Sequence, residues 1–121
     1  MGYKLFLVMG KSATGKDSVC EALLRRFSGK LKKIVPYTTR PIREGEKEGV
    51  EYHFVSEDEM RRMQDEGRIL ECRTYHVVVG DWHYFTADDG QIDPSGAHPI
   101  MIPPPEVYFG LMKTKYADAI V

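Results

Sequence analysis

The residues with the clearest chemical potential lie in a glycine-bearing segment near the start of the chain. Residues 10–17 read Gly-Lys-Ser-Ala-Thr-Gly-Lys-Asp, which matches the GxxxxGK pattern of a phosphate-binding loop in its glycines and its lysine. Glycines let backbone N–H groups point at a phosphate, and a following helix adds unpaired N–H donors and a positive dipole end. We expect Lys16 to reach the β- and γ-phosphates of a bound nucleotide. The predicted phosphate ligands are Gly10, Lys11, Ser12, Ala13, Thr14, Gly15, Lys16, Asp17 and Ser18.

The position after the lysine departs from this pattern, because Asp17 stands where the pattern has a serine or threonine that binds Mg²⁺. A carboxylate about 4 Å from a phosphate oxygen costs on the order of 4 kcal/mol at an effective dielectric constant of about 20. A bridging Mg²⁺ reverses the sign of that interaction, and Ser18 is the alternative source of a hydroxyl ligand. We therefore predict that ATP binding depends on Mg²⁺ held by Asp17 or Ser18.

A second candidate phosphate site follows in the segment 37–46. Arg40 and Arg43 lie three residues apart around Pro41. Two guanidinium groups at this spacing on a rigid turn can hold a phosphate between them. The alternative is a charged loop whose arginines are solvated.

Together, the two segments resemble the guanylate kinase family, whose members transfer a phosphoryl group from ATP to GMP. The resemblance is carried by the phosphate loop followed by Thr38-Thr39-Arg40-Pro41, Arg43, Gly45-Glu46, Gly49 and Tyr52-His53-Phe54, and it continues through Val55-Ser56 to Glu71 and Tyr84. It implies ATP and GMP as substrates, Mg²⁺ bound with ATP, and Lys16 as the catalytic residue that neutralises the transferring phosphates.

The resemblance also implies a set of GMP-binding residues: Arg40, Arg43, Glu46, Tyr52, Glu71, Tyr84 and Thr86. The arginines and tyrosines of this set match family residues that hold the GMP phosphate, and Glu46 matches the glutamate that follows the loop glycine. Glu71 matches the carboxylate that reads guanine, whose adjacent N1–H and N2–H₂ donors suit a single carboxylate. Thr86 falls where the family has a small hydroxyl residue near the base.

Three departures from the family pattern affect the expected activity. Pro36 replaces a serine, and the run Pro99-Ile100-Met101-Ile102-Pro103 replaces an acidic strand. Nearby Asp88, Asp89 and Asp93 are expected to serve turns rather than Mg²⁺. The chain is also expected to be truncated before the family's lid and its arginines. Because such arginines are worth about 10³–10⁵ in rate elsewhere, we expect a chain ending at Val121 to bind nucleotide poorly and to catalyse little.

Hydrophobic periodicity and turn residues predict the elements that must position these side chains. Helices are expected over Lys16–Phe27, after a capping box at Ser56–Glu59, and after Pro105 with Val107, Tyr108, Leu111 and Met112 on one side. Strands are expected at Tyr3–Met9, Lys33–Tyr37, Val50–Val55, Ile69–Val79, Trp82–Thr86, Ile100–Ile102 and from Ala119, with a hairpin turn at Gly80-Asp81.

This element order predicts an α/β fold: a parallel sheet of the kind found in phosphate-loop NTPases, with an inserted mixed-β subdomain. Residues 1–35 and 98–121 are assigned to the nucleotide-binding core. Residues 36–97 are assigned to the GMP-binding subdomain.

Length and composition limit the kinds of protein this chain can be. Its 121 residues suffice for one domain. Residues 1–43 carry ten Lys and Arg against two acidic residues, although the whole chain has a net charge of −1. We interpret this basic part as facing phosphates, because it contains the phosphate loop and both Arg40 and Arg43. No nucleic-acid-binding pattern accompanies it, so we expect no nucleic-acid partner. Cys20 and Cys72 lack disulfide or metal spacing, which favours the cytosol. The apolar run Leu5–Met9 is too short for a membrane span.

Two alternatives to a guanylate kinase stay open at this point. One is a non-catalytic module of the same fold that keeps the GMP pocket as a binding surface, although such modules tend to lose the lysine that this chain retains at position 16. The other is a kinase for a different nucleoside monophosphate. The sequence does not determine the oligomeric state.

Overall fold

The computed structural model describes residues 4–9, 16–27, 29–92, 97–101, 103, 105–114 and 116–120, without the side chains of Lys16, Asp17, Pro105 and Ala119. The elements in chain order are β1 (Phe6–Leu7), α1 (Lys16–Arg26), β2 (Leu31–Lys33), β3 (Tyr37–Thr38), β4 (His53–Phe54), α2 (Glu57–Asp65), β5 (Ile69–Val77), β6 (Gly80–Ala87), β7 (His98–Met101), α3 (Pro105–Leu111) and a 3₁₀ turn at Ala117–Ala119. No described helix has the length and apolar character needed to cross a membrane.

The chain divides into two compact units. The first unit comprises Met1–Ile34 and Gly90–Val121, and the second comprises Val35–Asp89. The first contains a parallel sheet and the second a mixed sheet, so the predicted α/β class is confirmed. The assignment of 1–35 and 98–121 to nucleotide binding and of 36–97 to GMP binding concerns function and stays a prediction.

The first unit is built on a three-stranded parallel sheet in the order β1-β7-β2. Its core includes Leu5 and Ile100 from the sheet and Val107 and Leu111 from α3, each at most 1% exposed. Val107 and Leu111 are four residues apart, so they lie on one side of α3 as predicted. Met112 lies beyond the end of the helix and is exposed, which corrects its place in the predicted stripe.

α1 begins at Lys16, directly after the predicted phosphate loop. Residues 10–15 of that loop lie outside the described residues. A strand and a helix therefore flank this segment, as expected for a phosphate site, while the loop itself stays a prediction.

The second unit is a four-stranded mixed sheet in the order β4-β3-β6-β5, in which β3 pairs parallel to β4 and antiparallel to β6. One face packs on α2 through the core of Met60, Met63, Phe85 and Ala87. The period-two alternation of strands leaves the other face free to carry polar side chains.

α2 forms because its N-terminus is capped as the sequence predicts. The Ser56 side chain accepts a hydrogen bond from the Glu59 backbone N–H at 3.1 Å. Glu57 and Arg61, four residues apart, form an ion pair at 2.6 Å. Arg62 pairs with Glu59, three residues earlier, at 2.8 Å.

The hairpin of β5 and β6 turns at Val78-Val79, so the predicted turn at Gly80-Asp81 is wrong. Val77 pairs with Gly80, which starts the return strand with a φ of 131° that glycine accommodates. Asp81 lies opposite His76 and its carboxylate lies 2.6 Å from the ring Nδ1. The cross-strand pairing therefore fixes the turn two residues earlier than the turn-forming residues suggested.

A bulge interrupts β5 near its start. Ile69 pairs with Ala87 and Glu71 pairs with Thr86, so β5 has one residue more than β6 between these two pairs. Because of this extra residue, Ile69 packs against the α2 core while Glu71 is opposite Thr86 on the other side of the sheet.

Other predicted strands are shorter or divided. The predicted strand Lys33–Tyr37 is wrong, because Leu31–Lys33 and Tyr37–Thr38 belong to different sheets. In the described part of the predicted strand Tyr3–Met9, which starts at residue 4, the strand covers Phe6–Leu7. The predicted strand Val50–Val55 reduces to His53–Phe54. The final predicted strand is a 3₁₀ turn followed by a single parallel bridge between Leu5 and Ile120.

Candidate functional site

The face of the second unit's sheet opposite the α2 core collects polar and aromatic side chains, and we call it the polar face. Residues directly opposite each other on antiparallel strands share a face. The relevant pairs on β5 and β6 are Glu71 with Thr86, Arg73 with Tyr84, and Tyr75 with Trp82. The two strands therefore place these six side chains in two parallel rows.

Arg40 and Glu46 form an ion pair with two hydrogen bonds. Arg40 Nη1 donates to Glu46 Oε1 at 2.8 Å and Nη2 donates to Oε2 at 2.7 Å. Arg40 is 4% exposed, and Nη1 also donates to the Pro41 carbonyl at 3.1 Å. The hydrogen bonds from Arg40 lower the pKa of the Glu46 carboxyl to about 2. This loop therefore holds the Arg40 guanidinium in one fixed orientation.

Two tyrosines surround the Arg40 guanidinium. Its Cζ lies 5.1 Å from the Tyr52 ring centroid, and the Tyr52 and Tyr84 rings meet edge to face at 5.6 Å. The pKa of Arg40 lies above its ordinary value, mainly because of its hydrogen bonds to Glu46. A hydrogen bond between Arg40 and the Tyr84 hydroxyl raises this pKa further. Burial raises the pKa of Tyr52, so its hydroxyl stays protonated at neutral pH and can donate to an anion.

Arg43 differs from Arg40 in its surroundings. Its side chain is exposed, and its Cζ lies 5.8 Å from the ring of Trp82. The Arg43 backbone N–H donates to Glu46 Oε1 at 2.9 Å, so Glu46 fixes the loop at both arginines. Arg40 is thus a buried, oriented cation, and Arg43 is a cation that an incoming anion can reach from solvent.

A buried carboxylate lies beside this cluster. Glu71 is 8% exposed, and Thr86, which is 1% exposed, donates its hydroxyl proton to Glu71 Oε2 at 2.7 Å. Arg73 Nε donates to the other oxygen, Oε1, at 3.2 Å. Each carboxylate oxygen therefore has one protein donor, and since a carboxylate has about four acceptor sites, each oxygen can accept a further hydrogen bond.

The structure places all seven predicted GMP-binding residues in the second unit. Arg40 contacts both Glu46 and Tyr52, and Tyr52 contacts Tyr84. Glu71 and Thr86 are hydrogen-bonded to each other. Arg43 is connected to this cluster through its backbone hydrogen bond to Glu46, and its side chain lies against Trp82. Of the predicted phosphate ligands, Gly10 to Gly15 lie outside the described residues, Lys16 and Asp17 are described by backbone alone, and Ser18 is exposed in the first turn of α1. Their roles stay predictions.

Asp89, expected to serve a turn, accepts a hydrogen bond from the Tyr37 hydroxyl at 2.6 Å. Asp93 lies outside the described residues. Within the part of the chain that the structure describes, no group of three or more His, Cys, Asp or Glu could hold a metal ion.

Arg73 is the residue of the site that the sequence prediction missed. Its side chain is 17% exposed, it contacts Glu71, and its Cζ lies 5.8 Å from the Tyr84 ring. The available signal was its spacing, because a residue two positions after Glu71 in a strand shares the face of Glu71. Position 73 had no counterpart among the matched motifs, so it was not singled out.

Comparison with known proteins places the chain in a family. The sequence model of guanylate kinase matches residues 2–81. The chain belongs to the guanylate kinase family. The guanylate kinase of Symbiobacterium thermophilum is 46% identical over 79 residues, covering 65% of this chain and 36% of the relative. That of Coxiella burnetii is 36% identical over 85 residues, covering 70% of this chain and 39% of the relative.

The fold agrees with a solved structure of the same family. The crystal structure of guanylate kinase from Anaplasma phagocytophilum matches with a TM-score of 0.69 and 26% identity, covering 99% of this chain and 57% of that chain. This chain spans about two fifths of the length of the curated guanylate kinases it matches. Sequence and fold therefore agree on the family.

Proposed function

We propose that the protein acts in phosphoryl transfer from ATP to GMP, giving ADP and GDP. The observation that carries the proposal is the polar face, where a buried carboxylate lies next to a cluster of arginines and tyrosines. A guanine nucleotide presents the matching groups, which are two adjacent donors on the base and a dianionic phosphate. Membership of the guanylate kinase family supports the same acceptor.

Glu71 is the proposed reader of the base. Guanine carries N1–H and N2–H₂ side by side, and a carboxylate with one acceptor site left on each oxygen accepts both. Thr86 and Arg73 hold the two oxygens in place before the base arrives. Adenine has an N1 lone pair at the position of the guanine N1–H, so it places an acceptor against the carboxylate. This contrast supports GMP over AMP.

Arg40, Arg43, Tyr52 and Tyr84 are the proposed ligands of the acceptor phosphate. The Glu46 carboxylate orients Arg40, while Arg43 is reachable from solvent. Arginine suits this task because its planar set of N–H groups matches two phosphate oxygens at once. The hydroxyl groups of Tyr52 and Tyr84 add neutral donors.

The donor side of the proposal rests on residues 10–18, with Lys16 as the residue that neutralises the β- and γ-phosphates. The ligands proposed for Mg²⁺ are the Asp17 carboxylate and the Ser18 hydroxyl, and oxygen donors of this kind fit that ion. Ser18 lies in the first turn of α1 and is exposed, so its hydroxyl is accessible. Mg²⁺ supplies charge neutralisation to the phosphates when bound.

Calorimetric titration of the chain with GMP, AMP and dTMP tests the acceptor, and detection of GDP formed from ATP and GMP tests transfer. We expect preferential GMP binding, and we expect Glu71→Gln to weaken it about 10- to 100-fold because hydrogen bonds to a charged acceptor are lost. Glu66→Gln is the matched control, since Glu66 is exposed and pairs only with Arg68 among the described residues. Equal binding of all three nucleotides would overturn the proposal. Because a chain ending at Val121 is expected to catalyse little, even trace formation of GDP supports transfer, whereas GMP binding with no detectable GDP favours the non-catalytic alternative.

A further inference from the structure

Strand β5 forms an open edge of the mixed sheet in the second unit. The strand order β4-β3-β6-β5 pairs β5 with β6 alone, and no other described strand lies along its second side. With nine residues, Ile69–Val77, it is also the longest strand that the structure describes. Cys72, Thr74, Tyr75 and His76 are exposed along it. An edge of this length is a template for pairing with another strand.

The sequence of β5 carries little of the protection that sheet edges usually have. It contains neither lysine nor proline, which commonly block an edge. Its two charged side chains, Glu71 and Arg73, are hydrogen-bonded to each other and largely buried. Because the bulge lies before Glu71, the segment Glu71–Val77 is a regular strand that can pair along its whole length.

Alternate residues of β5 direct their backbone groups to this open edge. Thr74 lies directly opposite His83 on β6. The His83 N–H donates to Thr39 Oγ1 at 2.9 Å, and its C=O accepts from the Thr39 N–H at 3.0 Å, so both groups of His83 point away from β5. Residues directly opposite each other in an antiparallel pair point their backbone groups either both toward each other or both away. Thr74 therefore points its N–H and C=O to the open edge, and Cys72 and His76, two residues to either side, do the same.

A second β5 strand satisfies these groups in one register. In a symmetric antiparallel pair, one residue lies opposite its own copy on the two-fold axis, and the residues before it face those after it. With Thr74 on the axis, Cys72 of each copy lies opposite His76 of the other. All three outward-facing residues then meet outward-facing residues, which gives about six backbone hydrogen bonds. With Cys72, Arg73 or Tyr75 on the axis, fewer of them are matched, because the others meet residues beyond the regular segment.

We propose that two copies of this chain associate edge to edge through β5, with Thr74 on the two-fold axis. The side chains fit this register, because Arg73 of each copy lies opposite the aromatic ring of Tyr75 of the other and no two like charges are directly opposite. The register also brings the exposed hairpin tip, Val78 and Val79, alongside the start of β5 in the second copy. The occupant of the edge is a second copy because β5 is complementary to itself. The pairing joins two four-stranded sheets into one, with both polar faces on the same side.

Sedimentation equilibrium at rising protein concentration tests the association. We expect wild type to move from the 13.8 kDa of one chain toward twice that mass. Thr74→Pro removes the N–H that faces the edge and no hydrogen bond of the hairpin ladder, so we expect it to raise the dimer dissociation constant at least about tenfold. Thr74→Val is the matched control, since it also loses the hydroxyl contact to His83 but keeps the backbone N–H, and it should dimerise as wild type does.

Charge exchange at the same position tests the register and does not depend on how the hairpin accommodates proline. Thr74 meets its own copy at a Cα separation of about 5.5 Å. Thr74→Lys alone should therefore be monomeric, and Thr74→Glu alone should be monomeric as well, because like charges face each other at the axis. An equimolar mixture of these two variants should form a dimer, because opposite charges then meet there.

Four results would overturn the inference. Wild type could stay monomeric at every concentration, which leaves the edge to an extended segment of a different protein or to no partner. It could grow beyond two copies, although a two-fold pairing uses up the β5 edge of both. Thr74→Pro and Thr74→Lys could dimerise like wild type, which places the contact elsewhere. The mixture of Thr74→Lys and Thr74→Glu could stay monomeric, which removes Thr74 from the axis.

Discussion

Replacing Thr86 with valine removes one hydrogen bond from the buried carboxylate without opening a cavity. Thr86 is 1% exposed and its hydroxyl lies 2.7 Å from Glu71 Oε2, while Glu71 is 8% exposed. Because Thr86 is buried, little water reaches the position of the lost donor. A hydrogen bond to a charged group contributes about 1.5–3 kcal/mol, and valine suits a strand as well as threonine does. We expect Thr86→Val to lower the free energy of unfolding by about 2 kcal/mol.

Urea unfolding followed by the fluorescence of Trp82 measures this change, because Trp82 is the only tryptophan of the chain and belongs to the second unit. The slope of the transition should stay the same. Thr74→Val is the matched control on the same hairpin, since the Thr74 side chain is exposed and its hydroxyl lies 2.8 Å from His83 Nδ1. We expect the control to change stability by less than about 0.5 kcal/mol.

A double-mutant cycle isolates the charge. With glutamine at position 71 the acceptor is a neutral amide, so the cost of Thr86→Val should fall to about 1 kcal/mol. Equal losses in Thr86→Val and Thr74→Val, or an unchanged cost in the Glu71→Gln background, would refute the view that Thr86 supports a buried carboxylate.

Three further predictions concern other parts of the chain. The pKa of Glu46 is held at about 2, below its ordinary 4.5. The stability that its pair with Arg40 contributes is therefore complete above pH 4.5 and is lost as the pH falls through about 2. Urea unfolding measured over this pH range should show a steeper loss of unfolding free energy in wild type than in Glu46→Gln. Ser56→Ala should cost about 1 kcal/mol by removing the cap of α2, whereas Ser56→Asp should cost little, in the same unfolding assay. Asp17→Ser should reduce the Mg²⁺ dependence of ATP binding measured by calorimetry, and equal dependence in both proteins would contradict the role given to Asp17.

The elements set by local chemistry were predictable from the sequence. The helix α2 begins where Ser56 supplies the cap, and α1 covers Lys16–Arg26, close to its predicted range. Both depend on side chains within a few residues of the helix end, so the signal is local. The sequence also predicted that a mixed-β subdomain is inserted in the fold, because strand and turn patterns alternate at short intervals in this part of the chain.

The hairpin turn was not predictable from turn residues alone. Gly80 and Asp81 are both typical of turns, yet the ladder running from Val77 to Ile69 places them in β6. Long-range pairing outweighs the preference of two residues, because a one-residue slip would move every later side chain to the wrong face.

In the candidate site, too, the residue types were predictable from the sequence, while their contacts were not. Spacing suggested Arg40 and Arg43 as a phosphate site, and the resemblance to guanylate kinases added Glu71. Neither indicated that Glu46 forms a two-bonded ion pair with Arg40 or that Arg73 contacts Glu71. Such contacts depend on the cross-strand register and on loop geometry, which act between residues several positions apart. Spacing predicts which side chains belong to a site, and the fold determines how they are paired.

The bulge near the start of β5 has a consequence for how this strand tolerates changes in length. Removing the surplus residue Leu70 would leave Ile69 and Glu71 adjacent, and adjacent residues of a regular strand face opposite sides. Both would keep the side they occupy now. A single deletion farther along β5 would instead turn every side chain before or after the deleted residue to the opposite face of the sheet. Loss of Leu70 would thus keep Glu71 and Arg73 on the polar face without inverting any other part of β5.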